Sequence, residues 1–323
     1  MSAAVDSANP ANNGSLIDWV VLTRGDRPTA LAAALASLRA SPNTGSIVVV
    51  LNGPEADATI NLGNEGNLGN EGNLGNEGNE GNEGNEGNGV MVVESAENLG
   101  VPGGRDLGLE STQAALVGFL DDDARLVSID LLGSVVQQFA TDQLLGAMSL
   151  RLVDENSNTS RRHVPRRGAG GADRSGPVAT FLGGASIVRR SAYLEAGRYW
   201  ADLVYGHEEL DLAWRLIEHN YSIKYEADIS VYHPHTEIGR HADGWWRTGR
   251  NRVLIARRNL PAPIMVVHSV AWLAIGTIRA PGGGCRRRYV AGWFGAWRVA
   301  VDRNPMSWST LRQLGRLGRF PVV

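Results

Sequence analysis

Residues 115–123 read Ala-Leu-Val-Gly-Phe-Leu-Asp-Asp-Asp, an apolar run that ends in three consecutive aspartates. The apolar part is typical of a strand buried on both faces, as in a parallel sheet. The end of such a strand places Asp121, Asp122 and Asp123 at the carboxyl edge of the sheet, where open α/β proteins bind their ligands.

The three aspartates also suggest what they bind. Because side chains alternate along an extended chain, we expect Asp121 and Asp123 to face one way together and Asp122 the other. Two convergent carboxylates repel each other unless a cation neutralises them, and oxygen ligands suit Mg²⁺ or Mn²⁺. The alternative is an acidic cap at the start of a helix.

The surrounding sequence predicts the rest of an α/β sheet. Apolar runs at 16–22 and 46–51 flank a helix that starts at Pro28 and repeats leucine at helical spacing. Further strands are predicted at 90–94, 146–153, 181–188 and 221–232, and further helices at 103–113, 191–196 and 208–220. This order predicts a Rossmann-like, mostly parallel sheet with helices on both faces.

Composition divides the 323 residues into parts. Residues 1–15 are small and polar and lack a secretory signal, so we expect a disordered start and a cytoplasmic protein. A catalytic domain is predicted at 16–260, interrupted at 61–89 by an insert with glycine at every third position and no proline, which predicts a surface loop. The single cysteine, Cys285, excludes an internal disulfide and a thiolate-rich metal site.

The C-terminal part, 261–323, is predicted to be helical and to associate with a membrane. From Gly239 onwards the chain has fifteen arginines and two aspartates, a net charge of +13, and eight of its nine tryptophans lie at or beyond Trp200. This pattern favours an anionic surface, and aromatics set in apolar runs favour lipid over nucleic acid. Residues 260–278 are uncharged but contain two prolines, which favours a helix lying in the interface over a membrane span.

Glu208, Glu209 and Asp211 form a second acidic group, in the first turn of a predicted amphipathic helix. They either stabilise the positive end of the helix dipole or supply a general base to a hydroxyl. Arg215, at i+4 from Asp211, is expected to pair with it.

Two further segments offer ligands. Either His233 or His235, at the end of the last strand, is a candidate third metal ligand, and spacing does not choose between them. The glycine-rich passage from Asn98 to Gly108 offers backbone N–H groups and Arg105 to a diphosphate.

Taken together, these motifs resemble those of the family 2 glycosyltransferases of the GT-A fold, over about Asp18 to Pro261 and in the family's order. Gly206–Arg215 resembles the helix that supplies the catalytic base, and Phe119–Ala124 resembles the Asp-x-Asp site. Arg250–Pro261 resembles a segment of bacterial members that build cell-surface polysaccharide. The resemblance implies an inverting transferase with a nucleotide-diphospho-sugar donor, a saccharide or lipid-linked acceptor, and a position on the inner face of the cell membrane.

The resemblance also assigns residue roles. It implies that Asp121, Asp123 and His233 bind the metal, with His233 preferred to His235, and that Glu209 is the base. Donor contacts are implied for Thr23, Arg27, Asn52, Asn98, Gly104, Arg105, Asp106, Asp121 and Asp122. Acceptor-side positions are Gly183, Gly184 and Ala185.

Three positions depart from the family pattern. Leu51 stands where an aspartate usually reads the nucleobase, Asp106 replaces an asparagine, and Glu209 replaces an aspartate, so Glu208 or Asp211 stays an alternative base. A nucleotide-sugar-binding scaffold with a decayed site is the main alternative function. A sugar nucleotidyltransferase fits less well, because 23–27 is a poor version of the glycine-rich loop such enzymes use.

Overall fold

The computed structural model describes residues 16–53, 89–166, 171–234 and 243–322. The predictions for the N-terminal 1–15 segment, for nearly all of the 61–89 insert and for His235 lie outside these residues.

A nine-stranded sheet forms the centre of the described structure. Its strands are β1 Ile17–Thr23, β2 Thr44–Asn52, β3 Val90–Ser95, β4 Leu116–Asp121, β5 Arg125–Leu126, β6 Leu145–Val153, β7 Gly176–Pro177, β8 Ala185–Arg189 and β9 Ser222–Tyr232. The order in the sheet is β3-β2-β1-β4-β8-β6-β9-β5, with β7 paired to β9.

The long strands run in one direction, as predicted. β3, β2, β1 and β4 pair in parallel, and so do β6 and β9. β8 reverses between β4 and β6, and the two-residue strands β5 and β7 also run antiparallel to β9. The carboxyl ends of β1, β2, β4 and β9 therefore meet at one edge, together with the amino end of β8.

Helices cover both faces of the sheet. They are α1 Pro28–Arg39, α2 Gly100–Glu110, α3 Leu132–Thr141, α4 Arg190–Glu195, α5 Glu208–Glu218, α6 Gly244–Asn259, α7 Ala262–Arg279, α8 Gly282–Ala296 and α9 Trp308–Arg316. Because side chains point alternately to the two faces of the sheet, each strand contributes to two hydrophobic cores. In β2, Val49 belongs to the core under α1 and α3, whereas Val48 and Val50 belong to the core under α2, α4 and α5. The predicted fold class is thus confirmed.

Helix α2 begins at Gly100, three residues earlier than predicted, and it contains Gly103 and Gly104 as the predicted helix does. Its glycines serve close packing on the sheet: a Cβ at Gly104 would lie 2.4 Å from Leu22 Cδ1, and one at Gly108 would lie 2.4 Å from Val20 Cγ1. The glycine-rich passage from Asn98 to Gly108 therefore leads into a helix, as predicted, and that helix packs closely on β1.

Strand β8 is shorter than predicted. The expected strand at 181–188 begins only at Ala185, because residues 183–184 form a turn in which Ala185 N–H donates to Leu182 O at 3.3 Å. Gly183 and Gly184 therefore lie at the edge of the sheet, before the strand.

The C-terminal helices pack on the rest of the chain. Helices α6 and α8 cross closely at two glycines: a Cβ at Gly249 would lie 2.2 Å from Tyr289 O, and one at Gly292 would lie 2.0 Å from Trp246 O. Among the described helices, α7 is the one long and apolar enough to cross a membrane by length and composition, and 17% of that stretch is buried.

Candidate active site

Three potential metal ligands meet at the carboxyl edge of the sheet. Asp121 ends β4, Asp123 lies two residues on, and His233 follows β9; one ligand atom from each lies within 4.8 Å of the others. His233 Nε2 is 3.3 Å from Asp123 Oδ1 and 3.8 Å from Asp121 Oδ2.

The tautomer of His233 suits a cation. Its Nδ1 lies 2.9 Å from Pro234 O and donates to that carbonyl, because a carbonyl only accepts. In the neutral ring Nε2 carries a lone pair that faces carboxylate oxygens, and either a proton on Nε2 or a cation between the groups relieves that repulsion.

Asp122 faces away from this group, as predicted, and binds the loop after β1. Thr23 Oγ1 donates to Asp122 Oδ2 at 2.6 Å, and Arg27 Nη2 lies 2.6 Å from Asp122 Oδ1. Arg27 also pairs with Asp123 through Nη1. Burial raises the pKa of Asp122 to about 6, against the hydrogen bond from Thr23 and the charge of Arg27. Thr23 and Arg27 thus hold the aspartate turn in place.

Arg105 connects the metal ligands to the acids of α5. It extends from α2, and its Nη2 donates to Asp121 Oδ1 at 3.0 Å. Nη1 lies 3.7 Å from Glu209 Oε1 and 3.8 Å from Glu208 Oε1, and it donates no hydrogen bond to any described residue. Burial would lower the pKa of Arg105, but Asp121, Tyr199, Glu209 and Glu208 outweigh it and raise that pKa.

The two acids of this pair differ in environment. Glu208 is 3% exposed and its Oε2 has no described hydrogen-bond partner, whereas the Glu209 side chain is 24% exposed. Burial, followed by the charge of Glu209, raises the pKa of Glu208 against the attraction of Arg105. Glu209 is therefore the more accessible acid.

Gly183 and Gly184 leave room for these side chains. A Cβ at Gly183 would lie 2.2 Å from Arg105 Nη1 and 2.3 Å from Glu209 Oε1, and one at Gly184 would lie 1.9 Å from Asp121 Oδ2. The next residue, Ala185, is fully buried. The two glycines thus let β8 approach the site.

Asp211 is a structural anchor in the fold. It is fully buried and accepts from Arg215 Nη2 at 2.7 Å, Arg258 Nη1 at 2.9 Å and Asn259 Nδ2 at 2.7 Å. The expected pair with Arg215 is present, and both carboxylate oxygens are occupied, so Asp211 is not placed to receive a proton from a substrate.

Other predicted donor-contacting residues make internal contacts. Asn52 Oδ1 accepts from Leu99 N at 2.9 Å and its Nδ2 donates to Gly100 O at 3.0 Å, while Asn98 Oδ1 accepts from Gly100 N at 2.9 Å. Asp106 faces α4, where it accepts from Tyr193 Oη at 3.1 Å and Arg198 Nη1 at 3.2 Å. These residues fix the start of α2 and its packing, and the structure does not bring Asp106 to the metal ligands.

Sequence reasoning assigned no role to Asn251 of α6, although it controls the loop before the acids. Its Nδ2 lies 2.9, 3.0 and 2.8 Å from the carbonyl oxygens of residues 203, 205 and 206. Val204, at φ 57°, and His207, at φ 76°, have left-handed backbones in this loop, which is unfavourable for a β-branched residue above all. Asn251 thus holds a strained loop that ends at Glu208.

Comparison with known proteins identifies the fold that carries this site. No protein-family model and no curated protein matches the chain. The crystal structure of GalNAc-T7 with UDP, GalNAc and Mn²⁺ matches with a TM-score of 0.61 at 11% identity, over 96% of this chain and 59% of that one. The complex of S. aureus TarS 1–349 with UDP matches with a TM-score of 0.51 at 12% identity, over 80% of this chain and 71% of that one.

A second S. aureus TarS structure matches with a TM-score of 0.50 at 13% identity, over 79% of this chain and 43% of that one. The chain thus spans less than two thirds of the GalNAc-T7 chain. At these identities the likeness establishes the fold: this chain has the GT-A fold of glycosyltransferases.

Proposed function

We propose that this chain is an inverting, metal-dependent glycosyltransferase of family 2, of the type that builds bacterial surface polysaccharide. It transfers a sugar from a nucleotide-diphosphate donor to the hydroxyl of a saccharide or lipid-linked acceptor. The observation that carries the proposal is the convergence of Asp121, Asp123 and His233 beside Arg105 and Glu209 at the ligand-binding edge of a GT-A sheet. GalNAc-T7 and TarS, which share the fold, were solved with UDP, and GalNAc-T7 also with Mn²⁺.

The ligand atoms of Asp121, Asp123 and His233 fit a divalent ion such as Mn²⁺ or Mg²⁺. Two carboxylates and an imidazole whose lone pair faces them supply oxygen and nitrogen ligands. A divalent ion bound there would offset the negative charge that develops on the leaving diphosphate. Arg27 neutralises Asp122 and Asp123 from the other side, so the turn keeps its shape.

Glu209 is the proposed base. It is more exposed than Glu208, and unlike Asp211 it has oxygens not fully occupied by hydrogen bonds. The acceptor oxygen forms its bond to the anomeric carbon as the bond from that carbon to the diphosphate breaks, and the hydroxyl proton passes to Glu209. A single displacement inverts the anomeric configuration.

Membrane association is part of the proposal. Helix α7 exposes valines and an isoleucine: Val266, Val267, Val270 and Ile278. It ends at Arg279, and α8, which begins at Gly282, carries Arg286, Arg287 and Arg288 in its second turn. An apolar face bordered by arginines is expected to lie at the interface of an anionic membrane, on its cytoplasmic face.

The test is thermal stabilisation of the purified protein by a panel of nucleoside diphosphates, with and without Mn²⁺. We expect one diphosphate to raise the unfolding temperature, and to do so only when the metal is present. A ligand that binds the native state and not the unfolded state stabilises the native state. The diphosphate that gives this shift also identifies the nucleobase of the donor, which Leu51 leaves undetermined.

The matched variants are Asp123→Asn and Glu94→Gln. Glu94 is an exposed acid on β3 of the same sheet, outside the cluster. The metal-dependent shift should disappear in Asp123→Asn and persist in Glu94→Gln. Metal-independent nucleotide binding without transfer would favour the scaffold alternative, and a retained anomeric configuration in the product would contradict the single displacement.

A further inference from the structure

Each carboxylate of the proposed metal site is held by an arginine through one of its two oxygens. Arg105 Nη2 donates to Asp121 Oδ1 at 3.0 Å, and Arg27 Nη1 pairs with Asp123 Oδ2. The other two oxygens, Asp121 Oδ2 and Asp123 Oδ1, lie 3.8 Å and 3.3 Å from His233 Nε2. Each aspartate therefore turns one oxygen to an arginine and the other toward the histidine of the site.

Asp123 is the more firmly oriented of the two aspartates. Arg27 directly precedes α1, and its guanidinium also pairs with Asp122, whose Oδ1 lies 2.6 Å from Arg27 Nη2. A planar guanidinium that bridges two consecutive carboxylates is fixed at both ends. The Asp123 side chain is only 8% exposed, so it has little room to turn away from this contact.

This orientation limits the number of oxygens that the site offers to a cation. A cation that bound both oxygens of one aspartate would share an oxygen with a guanidinium, and the two positive charges would repel each other. Each aspartate is therefore suited to binding through one oxygen. Ca²⁺ takes about six to eight oxygen ligands and often binds both oxygens of a carboxylate, whereas Mg²⁺ is bound by few carboxylates together with water and phosphate.

We propose that Arg27 and Arg105 are positioning residues for metal selection. By restricting each aspartate to one metal-binding oxygen, they make the site discriminate against Ca²⁺ and in favour of Mn²⁺ or Mg²⁺. The proposal rests on the metal site of the proposed function, and it assigns the choice of ion to two residues that do not bind the ion themselves.

The test measures the ratio of the Mn²⁺ and Ca²⁺ affinities of the full-length protein, with each metal added alone or in competition. Electron paramagnetic resonance of free Mn²⁺ gives the Mn²⁺ affinity, and displacement of bound Mn²⁺ by Ca²⁺ gives the Ca²⁺ affinity. The variant Arg27→Met keeps a long side chain but removes the charge and the donors, which frees Asp123 Oδ2. Losing a positive charge favours both cations, but the freed oxygen favours Ca²⁺ above all. The preference for Mn²⁺ should therefore fall by about fivefold or more.

Arg125→Met serves as the control for charge. The Arg125 guanidinium lies over the ring of Tyr232, with Cζ 4.4 Å from the ring centroid, and Tyr232 directly precedes His233. Within the described part of the chain, Arg125 pairs with neither aspartate of the metal site. Because Mn²⁺ and Ca²⁺ carry the same charge, this variant should change both affinities in parallel and keep their ratio within about twofold of wild type.

Two outcomes with the variants would overturn the proposal. One is a wild-type ratio in Arg27→Met, and the other is an equal fall in Arg125→Met, which would make general charge the cause. If Arg27→Met fails to fold, infrared spectroscopy of wild type decides, because a carboxylate that binds metal through one oxygen has more widely separated stretching bands than one that binds through both. The difference spectrum with and without Mn²⁺ should show binding through one oxygen, and binding through both would refute the role of the arginines.

The same measurements separate this proposal from the proposed function. Mn²⁺ binding that is lost in Asp123→Asn, together with an unchanged ratio in Arg27→Met, would remove the role of the arginines and leave the metal-dependent transferase standing. An absence of Mn²⁺ binding by wild type, both with and without the nucleoside diphosphates, would overturn both.

Discussion

The replacement Gly184→Ala tests the proposed metal site through a residue that supplies no ligand. An ideal Cβ at Gly184 would lie 1.9 Å from Asp121 Oδ2 and 2.1 Å from its Cγ. Ordinary contact begins near 3.4 Å, so the carboxylate has to retreat by roughly 1.5 Å or β8 has to shift. The Asp121 side chain is 40% exposed and has room to turn outward. The ligand then leaves Asp123 and His233.

The expected result is a selective loss of metal binding. Displacing a ligand by more than 1 Å should weaken Mn²⁺ binding by about 10–100-fold, the range seen when ligand-orienting residues are changed. Transfer should fall by about 100-fold or more. Stability should fall by only about 1–3 kcal/mol, the usual cost of overpacking. Electron paramagnetic resonance of free Mn²⁺ measures metal binding, and urea unfolding measures stability separately.

Gly295→Ala is the matched control. Gly295 lies in α8, and nothing lies within 4 Å of its would-be Cβ, so alanine there should stabilise the helix by up to about 1 kcal/mol and leave Mn²⁺ binding unchanged. Wild-type Mn²⁺ affinity in Gly184→Ala would refute the reasoning, because it would mean that Asp121 does not need its observed position to bind the ion.

The acids of α5 give three further expectations. Glu209→Gln should lower the transfer rate by about 100-fold or more, since an amide accepts no proton; a rate within threefold of wild type would move the base elsewhere. Asp211→Ala should cost about 3–5 kcal/mol in urea unfolding by leaving Arg215 and Arg258 without their carboxylate, and a loss below about 1 kcal/mol would contradict this account. The raised pKa of Glu208 makes its ionised form destabilising, so wild-type stability should decline as pH rises from about 4.3 through the raised value. Glu208→Gln should remove that decline, so in thermal unfolding the variant should gain stability relative to wild type as the pH rises. If its stability relative to wild type instead falls as the pH rises, the predicted direction of the pH dependence is wrong.

Local pattern was enough to predict the sheet and its acidic edge. Helix α3 and the two-residue strands β5 and β7 were not predicted, but apolar runs such as 115–120 indicate strands buried on both faces, so the seven longer strands, the acidic end of β4 and the fold class followed from the sequence. The antiparallel insertion of β8 between β4 and β6 did not, because strand pairing depends on partners that sequence spacing does not specify.

Residues with two possible uses were harder to assign. Asn52, Asn98 and Gly104 are predicted to contact the donor, and in this structure they also form hydrogen bonds at the start of α2 or pack on β1. Asp211 was an alternative to Glu209 as the base and was expected to pair with Arg215, but the sequence did not predict its contacts with Arg258 and Asn259, 47 and 48 residues away. Such partners are invisible to any local pattern.

The helices after residue 243 are best understood as part of the site and not as a separate anchor. Asn251 holds the loop that leads to Glu208, and Arg258 and Asn259 bind Asp211 on the helix of the proposed base. The last segment is bound in turn, since Met306 N–H donates to Asn259 O at 2.8 Å and Leu311 lies in the main core. A membrane contact made by α7 would therefore be made by a body that is continuous with the helix of the proposed base. That continuity is what would let the chain hold an acceptor at the membrane and present its hydroxyl to Glu209 in one structure.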